Sequence, residues 1–144
     1  MVILRLSKVT EADPVRGWVP AEYYDIVSEG EVVGSIQIRL GNTDHMRLYG
    51  GHVGYGVEPQ HRGRGYAGAA LKELASIAQQ HGFQEIWITC RPDNIASWRT
   101  LEKAGAIYEG TVDVPPDTDL YARGDLQMRR YRLMTGPHER LLLE

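Results

Sequence analysis

Between residues 32 and 40 the chain alternates: Val32, Gly34, Ile36, Ile38 and Leu40 take one side, and Val33, Ser35, Gln37 and Arg39 take the other. A period of two predicts a strand with one buried face. Tyr23–Val27 lies before it across Ser28-Glu29-Gly30-Glu31, a turn signal, so the two segments read as a hairpin. Val2–Leu6 reads as a short first strand. Thr10–Pro20 carries Pro14, Gly17 and Pro20 and reads as a connection. A loop over Gly41–Gly51 leads to a further strand, His52–Val57.

The period changes after Glu58-Pro59. Ala67, Ala70, Leu71, Leu74, Ala75 and Ala78 recur at helical spacing, which predicts a helix from Tyr66 to His81 with Gly82 as its stop. Ile86-Trp87-Ile88-Thr89 reads as a buried strand. A second helix is expected from Asp93-Asn94 through Lys103, stopped by Gly105. Ala106–Val112 and Gln127–Leu133 read as closing strands around a Pro115-Pro116-Asp117 loop. The resulting fold class is α/β (α+β), a mixed sheet with a βαβα unit in its second half.

At 144 residues the chain suits one domain, 1–144, able to close its own core. Its single cysteine, Cys90, leaves no internal disulfide, which favours a reducing, cytoplasmic setting. No apolar run suggests a signal peptide or a membrane span. A net charge of −3 argues against nucleic acid as partner. The five histidines and one cysteine show no metal-ligand spacing, so no metal is expected.

The most informative stretch is Gly54–Leu71, GYGVEPQHRGRGYAGAAL. A strand ends at Val57, Pro59 breaks it, and Arg62-Gly63-Arg64-Gly65-Tyr66-Ala67 runs into a helix. The first turn of a helix has unspent N–H groups and partial positive charge, and small residues let an anion approach that backbone. Arg62 and Arg64 add positive potential. The ending GK[ST] of a phosphate loop is absent. Gly63–Gly68 matches a dinucleotide GxGxxG by letters, but no acidic residue closes the next strand, Ile86–Thr89. A plain strand-to-helix connection is the bland alternative.

Arg62-x-x-Gly65-x-Ala67, following Tyr55-x-Val57-x-Pro59, resembles the pyrophosphate loop of the GNAT acetyltransferases. Asn94-Ile95-Ala96-Ser97 with Leu101-Glu102-Lys103-Ala104-Gly105 is similar to that family's next motif. The finer likeness is to a branch of uncharacterised predicted acetyltransferases, with Gly50-Gly51-His52-Val53-Gly54-Tyr55, Thr89-Cys90 and Asp93–Ser97. The resemblance implies a GNAT fold: a central, mostly antiparallel sheet with flanking helices and a splayed strand pair at the cofactor site. It implies acetyl-CoA as donor and a small-molecule amine or a peptide as acceptor. The edge at Tyr55, Gly56 and Val57 would then bond the pantetheine arm, the amides of Arg62, Gly63, Arg64, Gly65, Tyr66 and Ala67 would hold the pyrophosphate, Asn94 would meet the pantetheine, and Ser97 would lie near the departing sulfur.

Leu101 stands where many relatives carry a proton-donating tyrosine, and Thr89 where some carry a glutamate. His52 is therefore the candidate base, with a structural histidine as the equal alternative, and Ser97 the candidate partner for the sulfur. Cys90 reads as a buried structural thiol. Arg129, Arg130 and Arg132 read as a solvated strand face. Relatives place two helices between the first strand and the hairpin, whereas only Ser7–Pro20 is available here. The acceptor site is accordingly expected to be open, or completed by a second subunit in a homodimer.

Overall fold

The computed structural model describes residues 1–136; positions 137–144 of the expected domain lie outside the described residues. Strands β1 (Ile3–Thr10), β2 (Ala21–Ser28), β3 (Glu31–Arg39) and β4 (Val53–Val57) form an antiparallel sheet in sequence order. The β2–β3 turn is Glu29-Gly30, with φ of 51° and 79°. Left-handed backbone at both turn positions suits the right-handed twist of the strands it joins.

β1 is longer than the expected Val2–Leu6. It pairs with β2 as far as Thr10↔Ala21, with an irregularity between Leu6 and Lys8 that breaks the alternation. The chain then reverses through a bridge between Asp13 and Trp18. Among the described residues no helix lies between β1 and β2, so the shortened connection is a turn.

The second half comprises α1 (Tyr66–Gln80), β5 (Glu85–Cys90), α2 (Ile95–Lys103), β6 (Ile107–Asp113), a single turn α3 (Asp119–Ala122) and β7 (Gln127–Met134). β5, β7 and β6 form a second sheet in that order, again antiparallel. The loops read from sequence also contain short helical turns at Met46–Gly50 and Pro59–His61.

One core joins the sheets. Leu71, Leu74 and Ala78 of α1 pack with Ile26, Ile36 and Ile38 of the first sheet, Ile86, Ile88 and Tyr131 of the second, and Leu101 of α2. Each Leu or Ile buried there contributes about 1.5–3 kcal/mol. Leu101 is wholly inside, which explains a leucine there.

The arginines of β7 are not a solvated face. Arg129 lies 4.3 Å from the Tyr108 ring and 4.6 Å from the Trp98 ring and donates to Tyr131. Arg130 lies 4.4 Å over Trp87 and donates to the Arg47 carbonyl, and Arg132 pairs with Glu109 at 3.1 Å. Aromatic faces and carboxylates on neighbouring strands hold all three.

Candidate active site

Strand β4 ends at Val57, and Pro59 begins a tight turn that delivers the chain to α1. Gly63 and Gly65 adopt φ of +82° and +79°, a left-handed backbone that a side chain would strain. Gly65 is the N-cap of α1, with no side chain capping the helix and no acidic residue in its first turn. Among the described residues, none of the amides of 63–68 donates to a backbone or side-chain acceptor, and the first bond back to the loop is Ala69 N–H to the Gly65 carbonyl at 3.1 Å. A Cβ built on Gly63, Gly65 or Gly68 meets nothing within 4 Å, so open space lies beside this backbone. Consecutive unspent donors at a helix N-terminus beside open space suit an anion.

Arg62 departs from expectation. Its amide turns back to the Pro59 carbonyl at 3.4 Å, and its guanidinium donates through Nε to the Val57 carbonyl at 2.9 Å. Arg62 therefore braces the end of β4 against the loop, and the free donors begin at Gly63. Arg64 has no ion pair among the described residues.

The sheets meet edge to edge at one place. His52 N–H donates to the Trp87 carbonyl at 2.7 Å, and Trp87 N–H donates to His52 Nδ1 at 2.8 Å. Gly51 permits this approach: at φ +73°, a Cβ there would lie 3.2 Å from both the Thr89 nitrogen and the Trp87 carbonyl oxygen. Beyond that point no ladder joins β4 to β5. Among the described residues the β4 edge over Tyr55, Gly56 and Val57 thus has no strand partner on its β5 side, although the Val57 carbonyl already accepts from Arg62.

This geometry removes His52 from the role of base. The side chain is 0% exposed, and its Nδ1 lone pair is occupied by Trp87. Burial pushes its pKa down to about 4; the Gly41 carbonyl offsets this only in part, and Arg47 and Arg39 add to the depression. A buried neutral imidazole that already accepts a backbone proton is a latch between sheets, the structural alternative raised above. Thr89, likewise, donates its hydroxyl to the Tyr49 carbonyl.

Helix α2 meets β4 through Ser97 and Tyr55. Asn94 is its N-cap, its side-chain oxygen accepting from Ser97 N–H at 3.3 Å. Asn94→Ala is expected to cost about 1 kcal/mol of stability, the scale of a lost N-cap, while Asn94→Asp retains most of it; thermal unfolding of the two variants measures the difference. The Ser97 hydroxyl lies 2.8 Å from the hydroxyl of Tyr55. That contact was not read from sequence, where Tyr55 is noted only for its backbone; the alternation that buries Val53 would have aimed Tyr55 at the same core face. Cys90, at the end of β5, is 6% exposed, and burial raises its pKa, with Ser97 partly opposing.

The residues present fit a long phosphorylated thioester. Donors at 63–68 suit a diphosphate, the unpaired edge of β4 suits an amide-bearing arm, and Ser97 with Tyr55 stands beyond it between strand and helix.

A model of the acetyltransferase (GNAT) family matches residues 5–106. An uncharacterized N-acetyltransferase of Bacillus subtilis (strain 168), YnaD, is 32% identical over 79 residues, covering 49% of this chain and 44% of that protein. Among solved structures, the microcin C7 self-immunity acetyltransferase MccE in complex with acetyl-CoA and AMP superposes with a TM-score of 0.62 at 17% identity, over 79% of this chain and 61% of that one. RimL, a ribosomal L7/L12 alpha-N-protein acetyltransferase in complex with coenzyme A, superposes with a TM-score of 0.60 at 21% identity, over 83% and 64%. The chain thus spans less than two thirds of the length of these relatives. At such identities the likeness to the solved structures bears on the fold.

Proposed function

The chain belongs to the acetyltransferase (GNAT) family, and on that premise we propose that it is an acetyl-CoA-dependent N-acetyltransferase acting on a primary amine, in a complex that holds donor and acceptor together. The observation that carries this reading is the row of unspent amides over residues 63–68 beside the unpaired edge of β4. When bound, acetyl-CoA supplies an acetyl group activated as a thioester. The amides from Gly63 through Ala67, with Gly68, hold its diphosphate; Arg64 adds positive charge, and Arg62 keeps the end of β4 in register with the loop. The β4 edge at Tyr55–Val57 orients the arm and aligns the thioester for attack. Ser97 meets the sulfur, and Asn94 fixes the first turn of α2 on which Ser97 stands. Among the described residues no side chain near Tyr55 and Ser97 takes the place of His52 as base, and the amine gives its proton to solvent.

Since RimL acts on a protein N-terminus, a peptide amine stands beside small amines among the acceptors to test. No helix among the described residues is long and apolar enough to cross a membrane; the single cysteine, Cys90, favours a reducing setting, and on that ground we place the enzyme in the cytoplasm, where a homodimer can complete its acceptor site. The finer kinship to the branch with the GGHxGY and DNIAS patterns belongs to the same proposal. A second reading, an acyl-CoA-binding module without turnover, is favoured by the burial of His52, which leaves no conventional base among the described residues. Release of free thiol from acetyl-CoA against a panel of small amines and N-terminal peptides separates the two. The enzyme predicts acceptor-dependent thiol release; saturable binding with no release across the panel favours the module.

A further inference from the structure

A serine or threonine in a helix can bond its hydroxyl back to a carbonyl one turn earlier. Thr100 in α2 does so, donating to the Ala96 carbonyl at 2.8 Å. Ser97 does not: its hydroxyl engages Tyr55 Oη across a separation of 42 residues, and Tyr55 Oη lies 3.4 Å from the Ser97 carbonyl as well. The Tyr55 ring is packed against the core shared by both sheets, which fixes where its hydroxyl stands. Ser97 and, less strongly, Arg129 oppose the rise of the Cys90 thiol pKa, so the Ser97 hydroxyl favours the ionised form of a sulfur in this place. The titratable and charged groups around the cluster are Cys90 on β5, Glu102 on α2, and Arg129 and Tyr131 on β7; Arg129 and Tyr131 both bond to the Glu102 carboxylate.

We propose that Tyr55 is a positioning residue: its hydroxyl donates to Ser97 Oγ and thereby directs the Ser97 proton at the sulfur of the bound donor. This rests on the reading above that coenzyme A lies along β4 with its sulfur at Ser97. Tyr55 and Ser97 keep their own protons throughout. They stabilise the electron pair left on sulfur as the carbon–sulfur bond breaks and the carbon–nitrogen bond forms, and the proton shed by the amine goes to solvent. Burial raises the pKa of Tyr55, with the Ser97 hydrogen bond opposing it in part, so the phenol keeps its proton at neutral pH.

The test needs no acceptor. Binding of coenzyme A and of acetyl-CoA is measured by calorimetry from about pH 6.5 to about pH 9.5, a range spanning the ordinary thiol pKa. Only coenzyme A has an ionisable sulfur, and Cys90, with its raised pKa, does not compete for that titration. In the wild type, affinity for coenzyme A relative to acetyl-CoA is expected to rise about tenfold across the range, the scale of a hydrogen bond to a charged group. In Tyr55→Phe the rise shrinks to about twofold or less, Ser97→Ala behaves alike, and the double variant is no worse than either. A Tyr55→Phe profile that follows the wild type, or one that loses both ligands equally at every pH, overturns the proposal. If the wild type binds neither ligand, the cofactor reading itself fails and takes this one with it.

Discussion

Replacing Gly65 by aspartate is expected to weaken acetyl-CoA binding at least about a hundredfold while leaving the protein folded. Gly65 sits at φ +79° at the head of α1, and a Cβ there enters open space rather than protein. The fold therefore feels only the left-handed strain of a side chain, about 1–2 kcal/mol, which aspartate tolerates better than most residues. The ligand feels a carboxylate set beside the amides of 63–68. Like charges brought together at a binding site cost several kcal/mol, and about 2.7 kcal/mol is already a hundredfold. Gly65→Ala carries the strain without the charge, so it should bind within about tenfold of the wild type. Isothermal titration with acetyl-CoA, paired with thermal melts, separates the effects. Equal binding by Gly65→Asp and the wild type would remove the diphosphate from this loop.

The second large effect belongs to His52, and it concerns stability. His52→Ala removes the acceptor for Trp87 N–H and empties a site with no solvent exposure. An unsatisfied buried donor together with a cavity costs about 3 kcal/mol, a fall in Tm of about 10 °C for a chain of this size. His52→Asn, whose side-chain oxygen can accept the same bond, should recover part of the loss. The latch also makes stability depend on pH. The folded pKa of about 4 lies below the 6.5 of a free imidazole, so between those values the unfolded chain takes up a proton that the folded chain refuses. Stability is unaffected by this group above about pH 7 and declines as pH falls from about 6.5 to about 4, the loss approaching about 3 kcal/mol. Denaturant unfolding at successive pH values measures it, and His52→Asn should remove that component. A His52→Ala protein that melted like the wild type yet lost its turnover would restore the histidine to catalysis.

These two sites show what could be read in advance and what could not. Local patterns carried the elements well: the alternation over 32–40 became β3, the Ala/Leu spacing after Tyr66 became α1, and the glycines at 63 and 65 took the left-handed conformations that a tight entry to a helix demands. β1 was read short because the irregularity between Leu6 and Lys8 interrupts its period and much of its surface is exposed. Long-range pairings left no local trace. His52 meets Trp87 across 35 residues and Tyr55 meets Ser97 across 42, so neither the latch nor the hydroxyl pair has a sequence period. The arginines of β7 were misread for the same reason, since their partners lie on β6, α2 and the turn at Met46–Gly50. The loop's tight, glycine-bearing entry into a helix was legible. That Arg62 turns its amide and side chain inward was not, because both partners are set by how the turn closes on β4.

The central claim is that backbone amides from Gly63 to Gly68 grip the diphosphate of the acyl donor. Titrating isotopically labelled protein with acetyl-CoA while following its amide proton and nitrogen resonances tests it most directly. The account predicts that the signals of Gly63, Gly65, Ala67 and Gly68 move downfield and saturate together, and that this response disappears in Gly65→Asp. Saturation at other residues while these four stay still would contradict it.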